Sequence, residues 1–208
     1  MTCPHFEINI VKRSEGGSAV SAAAYQTGEK LYSDWEKKYI YHGTKEELIL
    51  KEILLPAHAP PEFADRSKLW NSAEAAEPNW NSQLARRMKI ALPVELSMED
   101  NIALVREYCQ KEFVSKGMIA DLAIHDPDPP NHNPHFHVLL TMRPLDENGN
   151  WLGDKLPLGD EKDVDLAFVI DTTGSMSPYI QRVKNNIVAF ARSLEEQGRN
   201  LRMSVIEY

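Results

Sequence analysis

The chain has 208 residues, which allows one full domain and a small second unit at roughly 100–200 residues per domain. Hydrophobic residues at 42% and charged residues at 26% are ordinary for a globular protein and exclude wholesale disorder. The apolar runs are far shorter than the roughly 18 residues of a membrane span, and no secretory signal is visible. Cys3 and Cys109 are too few for a disulfide framework, which fits a reducing compartment. Together these features lead us to expect a soluble cytoplasmic protein without membrane insertion.

The balance of charge excludes a protein that coats nucleic acid through bulk positive charge. There are 23 Lys and Arg residues against 31 Asp and Glu residues, and the formal net charge is −8. A domain that only neutralises phosphates should be basic. Any contact with nucleic acid must therefore depend on basic residues concentrated at one site.

Periodicity and capping residues divide the first part of the chain into elements. Residues 7–11 alternate as a strand, and Ser18 is placed to cap a helix over residues 19–25. The aromatic segment 32–41 is predicted to be a hairpin or an ordered loop. The remaining predictions are an apolar run at 49–55, helices at 66–77, 82–89 and 97–117, and strands at 89–92, 118–124 and 135–142.

A turn signal at residues 146–150 closes this region, and a new strand–helix–strand pattern follows a segment without clear periodicity. We therefore predict a domain over residues 1–150, a linker over residues 151–162 and a smaller unit over residues 163–208.

The sequence His135-Phe136-His137 lies in the most strand-like run of the chain. Strand side chains alternate between faces, so the two imidazoles project to one side, about 6.5–7 Å apart along the strand. Such a pair can bind one divalent cation when a third ligand arrives. His125, at the end of the preceding strand, is the first candidate for that ligand, and His132 in the intervening loop competes with it. An isolated pair is more often incidental surface chemistry, but the third histidine shifts the interpretation toward a metal site.

A run of mostly small side chains over residues 18–24 precedes Tyr25 and would let other backbone or a ligand approach closely. A lone tyrosine is usually a packing residue. Beside a metal site, however, a phenol can act as the nucleophile in phosphoryl transfer. Tyr25 is therefore a candidate catalytic residue.

Glu74 and Glu77 lie three residues apart on one face of the predicted helix at 66–77. Either carboxylate could orient metal ligands or accept a proton, and either could be solvated. Solvation is the favoured interpretation for Glu77, whereas the two interpretations are evenly balanced for Glu74. We carry Glu74 forward as a second candidate catalytic residue.

Several short segments in the first part of the chain form an ordered series. They are 18–25 with Gly28, 52–56, 69–71 with Glu74, 83–86, 91–93 with 95–97, 105–106, 117–118, 123–126 and 133–137. In this order they resemble the MobA/MobL relaxases of mobilisable plasmids. The resemblance runs over residues 1–150 and rests on the order of the segments, because no single motif decides it.

The resemblance implies an α+β fold in which helices flank an antiparallel sheet of the histidine–hydrophobe–histidine endonuclease type. It implies site- and strand-specific nicking of single-stranded plasmid DNA at an origin of transfer. Tyr25 matches the family's nucleophile, which becomes linked to the 5′ phosphate, leaves a free 3′ hydroxyl and allows the strand to be rejoined. His125, His135 and His137 match the metal ligands, with Mg²⁺ or Mn²⁺ as the ion. Accessory relaxosome and coupling proteins are further implied partners.

Contacts with DNA phosphates require basic residues near the site. Lys12, Arg13, Arg86 and Arg87 are the candidate DNA-binding residues. Each of them is also compatible with an ordinary surface charge.

The predicted strand at 164–170 is followed by Asp171, Thr173 and Ser175, whose oxygens would lie at the mouth of a parallel sheet and suit a hard cation. This pattern resembles the start of a von Willebrand factor A domain, whose adhesion motif is Asp-x-Ser-x-Ser, with Thr173 as a hydroxyl-preserving change. The later ligands of that family have no counterpart after the second predicted strand at 201–206. We expect an incomplete α/β unit of βαβ type, marginally stable alone, with an exposed strand edge.

Two other functions are compatible with these patterns. One is a non-enzymatic binding protein in which the adhesion-like unit is functional and the histidines only stabilise a loop. The other is a rolling-circle replication initiator that uses the same nuclease chemistry at a replication origin.

Overall fold

The computed structural model describes residues 6–44, 47–127 and 133–156, together with the backbone of residues 163–170 and 200–207. Two compact units divide the chain, one over Met1–Lys155 and the other over Leu156–Tyr208. The boundary between the units falls inside the predicted linker. In the described part of the chain, no helix has the length and apolar character needed to span a bilayer.

The first unit is built on an antiparallel sheet. Its strands are β1 (Phe6–Lys12), β2 (Leu31–Ser33), β3 (Lys38–Ile40), β4 (Leu48–Leu54), β5 (Gln83–Ala91), β6 (Ala120–His125) and β7 (His135–Thr141). Five of them form one sheet in the order β1-β5-β7-β6-β4, and β2 pairs with β3 as a separate hairpin. The predicted α+β architecture is confirmed, and segment 32–41 is a hairpin.

Three α-helices accompany the sheet, namely α1 (Ala19–Thr27), α2 (Arg66–Ala75) and α3 (Met98–Glu112). Each begins at a capping side chain that accepts a backbone N–H of the first turn: Ser18 for α1, Asp65 for α2 and Ser97 for α3. Helix α1 ends at Gly28, which has a left-handed φ of 66° that a glycine adopts without strain.

Helices α1 and α2 cover one face of the sheet, and α3 covers the other. The first face carries the alternate residues Ala85 and Leu139, which pack in one buried cluster with α1 and α2. On the opposite face, Arg106 of α3 pairs with Glu52 of β4. The small side chains of α1 let this helix lie close to the sheet, because four of its alanines and Val20 are at most 9% exposed.

One predicted element is wrong. Residues 82–89 were expected to form a helix, but Gln83–Ala91 is the strand β5, which pairs with β1 on one side and β7 on the other. The leucine, arginine, methionine and lysine residues of this segment favour helices locally. Two ladders of backbone hydrogen bonds and burial in the middle of the sheet outweigh that preference.

The second unit contains two described strands, β8 (Asp163–Ile170) and β9 (Asn200–Glu207). They pair in parallel, with Asp163 opposite Asn200. The strands predicted at 164–170 and 201–206 are confirmed. The predicted helix between them, and with it Asp171, Thr173 and Ser175, lies outside the described residues.

A buried charged network lies between α2 and β6. Asp121 is 0% exposed, and both of its carboxylate oxygens accept from Nε of Arg66 at 2.9–3.0 Å. Trp70 Nε1 donates to the same carboxylate at 2.8 Å. Arg66 also pairs with Glu29, which pairs with Lys51. Burial opposes the ionisation of Glu29, but these two cations outweigh it and lower its pKa.

Asp121→Asn should lower the free energy of unfolding by about 3 kcal/mol, because it removes the buried one of the two carboxylates that pair with the buried Arg66 guanidinium. Urea denaturation measures this change. Glu52→Gln is the matched control, since Glu52 forms a similar two-oxygen pair with Arg106 on the surface and should matter much less. Equal losses in the two variants would contradict the role of the buried pair.

Candidate active site

The three predicted ligand histidines lie together at one end of β6 and β7. Pairing of these strands puts His125 directly opposite His135, and His137 follows on the same face. The ring centres are 5.1, 5.2 and 5.4 Å apart, and each residue is at most 9% exposed. Rings this close can share one cation, because a ligating nitrogen lies about 2 Å from its metal. His132, the competing ligand, lies outside the described residues.

Hydrogen bonds fix the orientation of the imidazole rings. His125 Nε2 donates to the Gln26 carbonyl oxygen at 2.9 Å, and His135 Nδ1 donates to the Asn133 carbonyl oxygen at 2.7 Å. Since a carbonyl only accepts, each of these rings has its lone pair on the other nitrogen when neutral. Nδ1 of His137 is buried and has no hydrogen-bond partner among the described residues.

The histidine cluster is chemically suited to a metal. Burial, together with the nearby His125, His135, Lys89 and Arg87, lowers the pKa of His137 to about 3, so its ring is neutral. Neutral imidazoles and an unpaired buried nitrogen are what a divalent transition metal requires. As the side chains stand, no group of three or more His, Cys, Asp or Glu residues among those described is arranged to hold a metal ion. The fit is therefore one of donor chemistry, since imidazole nitrogens bind Mn²⁺ more readily than Mg²⁺, which prefers oxygen ligands.

Tyr25 lies on α1, over the same face of the sheet as the histidines, and its side chain is 45% exposed. The next residue, Gln26, joins this helix to β6 in two places. Its carbonyl accepts from His125, and its side-chain Nε2 donates to the Asp121 carbonyl oxygen at 3.0 Å. The candidate nucleophile is therefore next to a residue that contacts a candidate ligand.

A cleft of about 360 Å³ runs beside Tyr25, between α1 and the strands β1 and β5. Lys12, Arg87 and His42 are among its lining residues. Arg87 borders both parts of the site, since it lines the cleft and also acts electrostatically on His137. The cleft and the histidine cluster are therefore neighbouring parts of one face.

The four predicted DNA-binding residues differ in position. Arg87 and Lys12 line the cleft, although Lys12 also pairs with Glu15 at 3.1 Å. The strand register puts Arg86 on the α3 face, away from the histidines. Arg13 donates to the backbone carbonyl of Glu74 in α2 and to those of Glu77 and Asn79 after it. Its guanidinium carbon also lies 4.1 Å from the centre of the Trp35 ring. These positions weigh against DNA contacts by Arg86 and Arg13.

Two residues of the site were missed in the sequence. Lys89 lies on the same face as Arg87, directly opposite His137, a pairing of segments remote in the chain that no local pattern encodes. His42 packs edge-on against the ring of Tyr25, with ring centres 5.8 Å apart. Its Nε2 is 2.9 Å from Ser21 Oγ. Nothing in the local sequence marks His42, because the contact joins the end of the hairpin to α1.

Glu74 makes capping contacts that no local pattern revealed, and its role as a catalytic residue stays a prediction. Its Oε1 accepts from Ser18 Oγ at 2.9 Å and from the backbone N–H groups of Ala19 and Val20 at 2.5 and 3.2 Å. These groups belong to the first turn of α1, so the carboxylate holds the N-terminus of the helix that carries Tyr25.

Glu77 is not solvated, contrary to expectation. It is 4% exposed and forms ion pairs with Arg143 at 2.7 Å and Lys155 at 3.1 Å. Both cations come from the end of the first unit. Lys155 lies beyond residue 150, where the domain was predicted to end. Glu77 therefore attaches one residue of the predicted linker, Lys155, to the segment that follows α2.

Fold and site together define the class of the protein. It is an α+β domain of the relaxase-like kind, with three histidines and a helix-borne tyrosine on one face of an antiparallel sheet. The pattern of the MobA/MobL family matches residues 17–204, and the chain belongs to the MobA/MobL family. The von Willebrand factor A resemblance of residues 163–208 stays a prediction.

Curated relatives of the chain are named for conjugation and mobilisation. The conjugal transfer protein TraA of Agrobacterium fabrum is 43% identical over 159 residues, which are 72% of this chain and 14% of that protein. The probable mobilization protein MobA of Bifidobacterium longum is 28% identical over 200 residues, which are 96% of this chain and 33% of that protein. The mobilization protein MobL of Acidithiobacillus ferridurans is 30% identical over 158 residues, 73% of this chain and 41% of that protein. The chain thus spans less than half the length of each of these relatives.

A solved structure has the same fold. The chain in question, described under "Molecular Basis of Vancomycin Resistance Transfer in Staphylococcus aureus", superposes with a TM-score of 0.67 and 30% sequence identity. The match covers 100% of both chains.

Glu74→Ala should lower the free energy of unfolding by about 2 kcal/mol, because the first turn of α1 loses its buried acceptor. Glu74→Gln keeps an acceptor oxygen and should cost less. Thermal and urea denaturation provide the measurement. Glu107→Ala, at an exposed position of α3, is the control and should change stability little. A Glu74→Ala variant as stable as that control would rule out the capping role.

Proposed function

We propose that this protein is a plasmid mobilisation relaxase that nicks one DNA strand at an origin of transfer and forms a covalent 5′-phosphotyrosine intermediate at Tyr25. The observation that carries the proposal is the link through Gln26, whose carbonyl contacts His125 while its neighbour is the candidate nucleophile. Membership of the MobA/MobL family and the names of the relatives support the same conclusion.

The proposed reaction is a transesterification. The phenolic oxygen of Tyr25 attacks the phosphorus, a tyrosine–phosphate ester bond forms and the bond to the 3′ oxygen breaks. The phenolic proton leaves, and the departing 3′ oxygen becomes a hydroxyl by taking up a proton. One ester replaces another, so the reverse attack by a 3′ hydroxyl can rejoin the strand.

The basic residues of the site bind the phosphate in this proposal. Arg87 and Lys12 line the cleft beside Tyr25. Lys89 is two residues beyond Arg87 in β5 and therefore lies on the same face. Three cations on one face offset the acidic character of the rest of the chain. They would hold a phosphodiester against Tyr25 by charge and hydrogen bonding.

His125, His135 and His137 would hold the divalent metal. When bound, such an ion supplies a Lewis acid that stabilises negative charge on the non-bridging phosphate oxygens. The ion would be Mg²⁺ or Mn²⁺, and of these two Mn²⁺ accepts imidazole nitrogen more readily. The carbonyls of Gln26 and Asn133 orient two of the rings, which is the usual role of groups behind metal ligands.

The remaining parts of the proposal concern the setting of the reaction. Plasmid DNA lies in the cytoplasm, so the protein would act there, together with accessory relaxosome and coupling proteins. Two alternatives remain. In one, the second unit is a protein-binding module of von Willebrand factor A type. In the other, the same nuclease chemistry acts at a replication origin. Which origin is cut separates transfer from replication.

Tyr25→Phe should abolish the covalent adduct while leaving the fold intact, because the side chain is half exposed and the ring is retained. The measurement is incubation with a labelled single strand that carries the cognate origin and with Mn²⁺, followed by denaturing electrophoresis. Tyr108→Phe, on α3 at the opposite face of the sheet, is the matched control and should form the adduct. An adduct formed by Tyr25→Phe would exclude Tyr25 as the nucleophile.

His137→Gln should weaken Mn²⁺ binding by more than about 10-fold, since the cluster loses an imidazole nitrogen that can coordinate the ion. Isothermal titration calorimetry on protein stripped with a chelator measures the affinity directly and does not depend on activity. His58→Gln changes an exposed histidine and should bind Mn²⁺ like the wild type. Unchanged binding by His137→Gln would overturn the metal assignment.

A further inference from the structure

The β2–β3 hairpin has an apolar inner side and an aromatic outer side. Leu31 and Ile40 are a cross-strand pair, 5% and 8% exposed, that packs in the core with α1 and α2. The next cross-strand pair, Tyr32 and Tyr39, faces the other way, and Tyr39 is 63% exposed. Tyr41, the first residue after β3, is 53% exposed. We call Tyr32, Tyr39 and Tyr41 the aromatic row.

The aromatic row is held in place. The rings of Tyr32 and Tyr39 meet edge to face with centres 5.1 Å apart, and the Tyr41 hydroxyl is 3.0 Å from Thr44 Oγ1. The backbone of the hairpin is tied to α2, because Asn71 Nδ2 donates to the Tyr32 carbonyl oxygen at 2.7 Å. Rings fixed before binding lose little conformational freedom when a ligand stacks on them.

Lysines lie beside the exposed rings, in a hairpin whose turn also carries Asp34 and Glu36, the latter paired with Lys38. Lys30 Nζ lies 5.0 Å from the centre of the Tyr39 ring. Lys37 occupies the hairpin turn with a left-handed φ of 54°, a conformation that favours glycine or asparagine. A lysine there presents its charge at the tip of the hairpin, in a chain whose net charge is −8. Lysines beside exposed aromatic rings are complementary to a polymer of flat bases and phosphates.

The aromatic row leads to the candidate active site. His42 follows Tyr41 and contacts the ring of Tyr25, and it lines the same cleft as Arg87. A strand whose phosphate is held at Tyr25 would therefore have neighbouring nucleotides close to Tyr41 and Tyr39.

We infer that the aromatic row is a stacking surface for the bases of single-stranded DNA on one side of the scissile phosphate. The choice of DNA as the occupant rests on the proposed function. Every base has a flat face, so this surface binds without regard to sequence, and recognition of the origin is left to other contacts. A protein partner is the competing occupant, because exposed tyrosines also occur at protein interfaces.

The test is the affinity of the full chain for a fluorescent single strand of about 12 nucleotides and mixed sequence, measured by anisotropy. Tyr39→Leu keeps an apolar side chain of moderate size but removes the aromatic ring, and it should raise the Kd by about 10-fold. Tyr39→Phe keeps the ring and should bind like the wild type. Leu104→Ala removes an exposed apolar side chain from α3 and should have no effect.

A strand with abasic sites supplies the decisive comparison. Such a strand keeps its phosphates and loses the stacking partners, so wild type and Tyr39→Leu should bind it equally weakly. A Tyr39→Leu variant that binds the normal strand as well as the wild type does would overturn the stacking surface. So would an equal loss on normal and abasic strands, which would indicate phosphate contacts or a changed fold.

The failure of this inference can be told apart from failure of the proposed function. Loss of the adduct in Tyr25→Phe together with normal binding by Tyr39→Leu overturns only the stacking surface. Stacking-dependent binding without any adduct on an origin-bearing strand supports the surface and rejects the nicking reaction.

Discussion

Pairing of β6 with β7 puts His125 opposite His135 and leaves His137 two residues further along the same face. Side chains alternate along a strand, so a slip of one residue would turn the histidines of one strand toward α3. Ile124 and Phe136, which adjoin the histidines in sequence and point to the opposite face, are buried and oppose each other. Their burial on that face holds the register that gathers the imidazoles, and the chemistry of the site depends on it.

Helix α1 carries the candidate nucleophile, yet most of its buried side chains are alanines, which each bury little apolar area against the sheet. Polar contacts at both ends compensate for this. Glu74 holds the first turn, and Gln26 joins the last turn to His125 and to the backbone of Asp121. Asp121 is itself fixed by Arg66 in the buried network. Buried hydrogen bonds at both ends and close packing of the small side chains thus fix the position of the tyrosine together.

Local patterns in the sequence were enough to locate the histidine pair, the capped first helix and most of the strands. They failed at residues 82–89, whose side chains favour a helix while the pairing that makes them a strand comes from distant segments. The same error concealed Lys89, because residues two apart share a face in a strand but not in a helix. The capping role of Glu74 and the contact of His42 with Tyr25 also join segments remote in the chain, so no local periodicity encodes them.

The cations that face the cleft are few, and the surrounding chain is acidic. A surface of this kind would repel the bulk of a duplex and would attract the proposed DNA strand only where Arg87 and its neighbours lie. Few phosphates would then be neutralised on binding, so few counterions would be released. Rising ionic strength should consequently weaken such a complex far less than it weakens those of strongly basic DNA-binding domains.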